Sequence, residues 1–184
     1  RVSGAWKKLS DWHTNINNLR AVRIKNTQRE NTRTKTFFFR DELCSSAKPG
    51  QFIMVWIPGV DEIPLSLSSA EISGLCSVTV AEVGYATRAL GTMKRSDLIG
   101  VRGPFGNFFR IMGREALVVG GGSGMASLLR LILELSKANV ETTVIEGAET
   151  KDQLLFVEQI GRLGIELIIM TEDGSYGTKG MAIE

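Results

Sequence analysis

The run Gly120-Gly121-Gly122-Ser123-Gly124 follows the apolar segment ALVV and opens the amphipathic segment MASLLRLILEL. Glycines between a strand and a helix let backbone N–H groups approach a phosphate, and the helix N-terminus adds positive potential. The pattern predicts a nucleotide-binding turn with Gly121, Gly122 and Gly124 against the ligand; a plain tight turn is the alternative. The strict G-x-G-x-x-G spacing is not met, because Met125 or Ser127 takes the last position. Glu146 ends the next apolar run, about 20 residues beyond the glycines, where a carboxylate can hold ribose hydroxyls. The segment GAETKDQ that follows offers a 2′-phosphate only Lys151, which favours NAD(H) over NADP(H). Asp173, in TEDGSYGTKG after a third apolar run, falls at the carboxyl edge of the same sheet, where ligands lie.

A second group of residues lies upstream. In DEIPLSLSSA, residues 61–70, apolar and hydroxyl side chains alternate from Pro64, so Ser66 and Ser68 share one face of a strand. GYATRAL sets Gly84, Thr87 and Arg88 at a helix start, where a hydroxyl and a cation can serve a phosphate or merely cap the helix. GPFGNFF, with Gly103 and Asn107, reads as a fixed turn whose aromatics can pack between domains or flank a ring. The single histidine, His13, belongs to no Ser/His/Asp set, and no paired-carboxylate site stands out, so acid–base hydrolysis is poorly supported. A bound cofactor would supply the chemistry and the protein its orientation.

The elements that must hold these residues form two blocks. From residue 20 to 110, short strands alternate with turn chemistry about every ten residues, as in a small antiparallel barrel or sandwich. RAVRIKN and RTKTFFFR read as a hairpin joined by TQREN. After Arg110 the period changes to strand, helix, strand, helix, strand, hence a parallel sheet. The expected domains are an N-terminal extension at 1–18, a β-barrel at 19–110 and an α/β unit at 111–184, the last incomplete. In the extension, Trp6, Leu9, Trp12 and Ile16 recur at roughly helical spacing.

Composition narrows the class. A net charge of +2 without a basic block gives no nucleic-acid footprint, and no apolar run reaches the ~18 residues of a membrane span. Two cysteines, Cys44 and Cys76, are too few for a disulfide framework or a Cys-only metal site, which makes a reducing, cytoplasmic setting the default. Lack of an initial Met and of an end signal after GMAIE marks the chain as a candidate fragment.

The order of these motifs resembles the ferredoxin–NADP reductase superfamily, and within it the electron-transfer subunits of dihydroorotate dehydrogenase B. PGQFIMVWIPGVDEIPLSLS, GYATRALGTMKRSDLIGVRGPFGNFF, VVGGGSGMASLL, EGAETKDQLLF and TEDGSYGTKG carry the resemblance across residues 20 to 180. It implies a Greek-key barrel holding FAD and a following domain holding NAD(H). Pro64, Leu65, Ser66 and Leu67 would face the flavin ring, and Gly84, Thr87 and Arg88 its phosphates. Gly103 and Asn107 would lie at the domain junction, Gly121, Gly122 and Gly124 at the dinucleotide, and Glu146 at its ribose. The resemblance further implies an oxidoreductase of pyrimidine biosynthesis, passing electrons from NADH through FAD to a catalytic dehydrogenase subunit in a hetero-oligomer. Two alternatives stay open: the reductase subunit of a ferredoxin-linked NAD(P) oxidoreductase or sulfhydrogenase, and a non-catalytic nucleotide-binding scaffold. Two departures are visible. Ile63 stands where the family often has Arg, and the cysteines that hold the family's [2Fe–2S] cluster have no counterpart in this chain.

Overall fold

The computed structural model describes residues 15–71 and 73–182. The candidate helix around Trp6, Leu9 and Trp12, like His13, lies outside them. The first block forms strands β1 (Arg20–Arg23), β2 (Asn26–Arg29), β3 (Thr34–Arg40), β4 (Phe52–Ile57), β5 (Asp61–Ala70), β6 (Leu75–Ala81) and β7 (Leu98–Phe105). Two helices interrupt them, α1 (Glu42–Ser45) and α2 (Tyr85–Thr92). The strands make one seven-stranded antiparallel sheet in the order β1-β7-β4-β5-β6-β3-β2, a Greek-key half-barrel. Its concave side is packed with β-branched and aromatic residues, among them Phe37, Phe39, Ile53, Val55, Val78 and Ile99, and α2 closes one end through Leu90.

The hairpin expected from RAVRIKN and RTKTFFFR is differently drawn. TQREN does not form its turn: Asn26–Arg29 is itself an edge strand paired with β3, and β1 pairs with β7 instead. β2 is solvated on both faces, so it carries no apolar period by which a strand could be recognised.

The second block is parallel throughout. β8 (Glu115–Gly121), β9 (Glu141–Ala148), β10 (Glu166–Thr171) and β11 (Thr178–Lys179) lie side by side in chain order. α3 (Gly124–Lys137) follows β8, and the short α4 (Val157–Gly161) precedes β10. α3 is helical because Met125, Leu129, Ile132 and Leu135 recur at three- and four-residue spacing and bury one stripe on the sheet, beside Val118 and Val144. On the opposite sheet face Leu117, Val119 and Ile168 are exposed.

Candidate functional site

β5 carries the first half of the site. Its residues 61–66 pair with β4, whereas pairing with β6 begins only at Leu67. Pro64 has no N–H to give a ladder, so the bonds to β4 come from Ile63 and Leu65. The Pro64 carbonyl and the Ser66 N–H then face an edge that no strand covers. Ser66 is half-buried, and among the described residues its hydroxyl has no hydrogen-bond partner. The side chains of Ile63, Leu65 and Leu67 turn the other way, into the barrel core, with Leu67 only 2% exposed. Pleating therefore leaves only the backbone of Leu65 and Leu67 available on this side of the strand.

Beside this edge lies the N-terminus of α2. Its first-turn N–H groups, on Tyr85, Ala86 and Thr87, have no intrahelical acceptor. Thr87 is not free to bind a phosphate through its hydroxyl, as expected from its position. Its Oγ1 accepts from Gly84 N at 2.8 Å and Val83 N at 3.1 Å and donates to the Gly84 carbonyl, which commits Gly84 as well. Arg88 is exposed and makes one long contact, Nη2 to the Val83 carbonyl at 3.4 Å. The nearby Arg102 is taken by a bidentate pair with Glu62 at 2.7 and 2.5 Å, which holds the Glu62 carboxyl below its usual range.

Gly103 proves structural. Its N–H donates to the Ile16 carbonyl at 2.7 Å, and its carbonyl accepts from Arg20 Nη2 at 3.0 Å. Arg20 is itself locked by Asp41 at 2.7 and 3.0 Å. Gly103 is buried, and both its backbone groups serve these contacts within the fold. Asn107 is exposed just beyond it.

The second half of the site is a cleft of about 480 Å³ at the carboxyl edge of the parallel sheet, lined by Gly121, Gly122, Glu149, Gln153, Glu172 and Met181 among others. Gly122 sits at φ +49°, where its N–H reaches the Gly147 carbonyl at 2.9 Å and pins the turn to β9. Gly120 serves packing instead, since a Cβ there would come within 2.9 Å of Met125 Cε. Gly124 opens α3 into free space.

Two expectations fail here. Glu146 is fully buried and cannot reach a ribose; its Oε1 accepts from Leu155 N at 2.5 Å, Oε2 has no hydrogen-bond partner among the described residues, and burial pushes the carboxyl up to about 7. Even-numbered residues of β9 face α3, and Glu146 shares that face with Val144. Asp173 does not line the cleft either. It closes a local turn through Ser175 N at 2.9 Å, and those bonds to Ser175 hold its carboxyl low. The carboxylates that do line the cleft, Glu149 and Glu172, sit three residues after the first and one before the second, and sequence reasoning missed both.

The two cysteines lie in the barrel half, away from the glycine turn. Both are buried and unpaired, and burial raises both thiols, Cys76 to about 12. Among the described residues no group of three or more His, Cys, Asp or Glu side chains could hold a metal ion, and no helix is long and apolar enough to cross a membrane.

A Greek-key half-barrel with an open strand edge, followed by a parallel sheet with a glycine turn, is the ferredoxin-reductase-like FAD/NAD-binding fold. The chain superposes on the NADH-dependent reduced ferredoxin–NADP oxidoreductase with a TM-score of 0.79 and 30% identity, covering 86% of this chain and 59% of that one. The flavohaem-like FAD/NAD-binding domain of nitric oxide dioxygenase from Vibrio cholerae gives a TM-score of 0.79 at 18% identity, over 88% of this chain and 79% of that one. In sequence, the chain is 42% identical over 162 residues to the dihydroorotate dehydrogenase B (NAD⁺) electron-transfer subunit of Methanocaldococcus jannaschii. That match covers 88% of this chain and 60% of the relative. The chain is thus a homologue of the electron-transfer subunits of dihydroorotate dehydrogenase B, and it spans about three-fifths of the length of the curated relatives it matches. No family model matches it.

Proposed function

We propose that the chain is the flavin- and nucleotide-binding part of an electron-transfer subunit that draws electrons from NADH for a partner dehydrogenase acting on dihydroorotate, in the cytoplasm. Residues 19–110 are the flavin domain and residues 111–184 the nucleotide domain in this reading. The observation that carries it is the uncovered edge of β5 beside the unpaired first turn of α2, in a homologue of such subunits. These residues fit FAD. The β5 edge offers the Pro64 carbonyl, the Ser66 N–H and the Ser66 hydroxyl to a ring rimmed with donors and acceptors, and the α2 first turn with Arg88 offers N–H groups and a cation to a pyrophosphate. When bound, FAD would accept a hydride from NADH and release electrons singly. The chain's own residues orient both partners: β5 holds one ring, while the Gly121–Gly122 turn and Glu149 hold the dinucleotide. An exposed apolar run, Phe108, Phe109, Ile111 and Met112, gives a partner subunit a surface to cover.

A purified chain that is yellow and bleaches with NADH under anaerobic conditions supports this reading. A colourless chain that binds no added FAD overturns it and leaves the scaffold alternative, which Ile63 favours. The 30% identity to a ferredoxin-linked oxidoreductase favours the other alternative, and bleached chain that reduces ferredoxin but not the partner dehydrogenase would select it.

Glu149 takes the ribose role in this reading. Its Oε2 accepts from Gln153 Nε2 at 2.9 Å, which leaves Oε1 for a hydroxyl pair. With Glu172 also lining the cleft, a 2′-phosphate meets two carboxylates there. Glu149→Gln is expected to weaken NADH binding roughly 10-fold, the scale of a lost hydrogen bond to a charged group. Glu149→Arg is expected to move the preference toward NADPH. Titration of cofactor fluorescence reads both, and unchanged NADH affinity in Glu149→Gln puts the ribose elsewhere.

A further inference from the structure

The two halves have separate cores that share no residue. Between them lies a polar seam. α3 crosses the outer face of β5, and the cavity of about 560 Å³ left there is walled on the barrel side by Thr36, Ser68, Ser69 and Ser77. Those hydroxyls bond one another rather than the helix. Ser77 meets Ser68 at 2.9 Å and Ser69 at 2.7 Å, Thr79 donates to Ser68 at 3.0 Å, and Thr36 meets Thr79 at 2.8 Å. Polar interfaces of this kind leave domains free to shift against each other.

One side chain spans the seam. Arg130 projects from α3, is 8% exposed, and forms no ion pair among the described residues, although Glu134 one turn along the helix acts on it electrostatically. Its Nη1 donates to the Ala70 carbonyl at 3.3 Å and its Nη2 to the Ala47 carbonyl, while Nε has no acceptor. Among the described residues, both side-chain hydrogen bonds identified between the halves come from this guanidinium, and no ion pair joins them. A buried cation left unpaired is costly, so the fork of donors is the natural reason for its placement. Its two acceptors matter: Ala70 ends β5, the strand of Ser66, and Ala47 lies in the loop before β4. α3 begins at the glycine turn. The guanidinium therefore joins the strand of the flavin edge to the helix of the dinucleotide turn.

We infer that Arg130 is a positioning residue that fixes the distance between the dinucleotide turn and the flavin edge, and thereby the rate of hydride transfer between them. The inference rests on the proposed function for its kinetic consequence and on the seam alone for its structural one. Misplacement by about 1 Å can cost a transfer step about 100-fold, while each cofactor still binds to its own half.

The test uses the FAD-loaded chain and its flavin-free form, each as wild type, Arg130→Met and Arg130→Lys. In Arg130→Met, flavin reduction at saturating NADH should slow at least 10-fold by stopped-flow absorbance, with the NADH dissociation constant changed less than twofold. Amide exchange should rise around residues 46–51 and 68–71 in both forms and stay unchanged in β3 and β7. A wild-type rate, or exchange that rises evenly across the barrel, overturns the inference. Arg130→Lys keeps the charge but cannot reach both carbonyls, so an intermediate rate is expected; wild-type behaviour there also overturns the two-carbonyl grip, and this variant decides if Arg130→Met does not fold. If wild type itself shows no NADH-driven flavin reduction, the proposed function fails, and the exchange comparison still judges the tether.

Discussion

Replacing Glu146 by Gln is expected to raise the thermal unfolding midpoint at pH 8.5 by roughly 6–12 °C and to leave it unchanged at pH 4, on the usual scaling of about 2–4 °C per kcal/mol for a chain of this size. Glu146 pairs with Gly120 across the sheet, fully buried, with one oxygen bonded to Leu155 N and the other without a hydrogen-bond partner among the described residues. Burial raises its folded-state pKa from 4.5 to about 7, against which the Leu155 bond pulls weakly down. A raised carboxyl pKa means that the folded state binds the proton more tightly than the unfolded chain does. Its contribution is full below about pH 4.5, declines as pH rises, and is gone once pH passes about 7. Converted at 1.36 kcal/mol per pKa step, the loss is about 3 kcal/mol. Gln keeps an oxygen for Leu155 N and cannot ionise, so it mimics the protonated form at every pH. Glu146→Leu removes the acceptor and leaves a buried N–H unpaired, at a cost of about 1–3 kcal/mol; it should be less stable than Glu146→Gln throughout. A difference between Gln and Glu that does not vary between pH 4 and 8.5 would show that the carboxyl does not titrate in this window.

Glu146 also shows where reading from sequence stops. Its distance from the glycine run placed it near the end of β9, two residues short of Ala148, but distance does not fix which face of the sheet a side chain takes. A shift of one residue in a strand exchanges the faces, and Glu146 falls on the helix-covered one. Glu149, three residues on, has left the strand and lines the cleft, and nothing in GAETKDQ separates the two carboxylates by composition. The pair Glu172 and Asp173 repeats the difficulty over one residue. The alternation in PLSLS was legible because a period of two needs only a strand, and it orders Ser66 away from the barrel core. What it could not reveal is that Ser68, one step along the same face, is spent on Ser77 and Thr79 in neighbouring β6. Long-range partners are the common cause of the other misreadings. Gly103 is held by Ile16 and Arg20, more than 80 residues away in chain order, and the burial of Arg130, which nothing in the sequence singles out, comes from carbonyls of the other half. The order of elements, by contrast, follows from local periods alone, and it is what the comparisons with known folds match.

Arg88→Ala is expected to lower FAD affinity roughly 10–100-fold, the range for hydrogen bonds to a charged group, and to leave riboflavin affinity unchanged. Ile63 stands where the family resemblance implies an Arg, and its side chain lies on the core face beside Val55, so no cation arises there. Arg102 is a guanidinium beside the first half of this strand, and Glu62 occupies it through two bonds. Arg88 has neither fate. It is exposed, one turn into α2, and its single contact at 3.4 Å is too long to hold it. The N–H groups of Tyr85, Ala86 and Thr87 point out of the same helix end, so a pyrophosphate set there would meet backbone donors and this cation together. Riboflavin lacks phosphate and, in the proposed reading, would sample only the β5 edge, which makes the pair of ligands a control for folding. Thr87→Val separates the cap from the ligand. The lost hydroxyl frees Val83 N and Gly84 N, destabilising the helix start by about 1 kcal/mol, and its effect on FAD should follow that loss without the salt dependence expected of Arg88. Equal loss of both flavins in Arg88→Ala would mean that the side chain supports the fold, and no loss of either would leave the pyrophosphate to backbone donors alone.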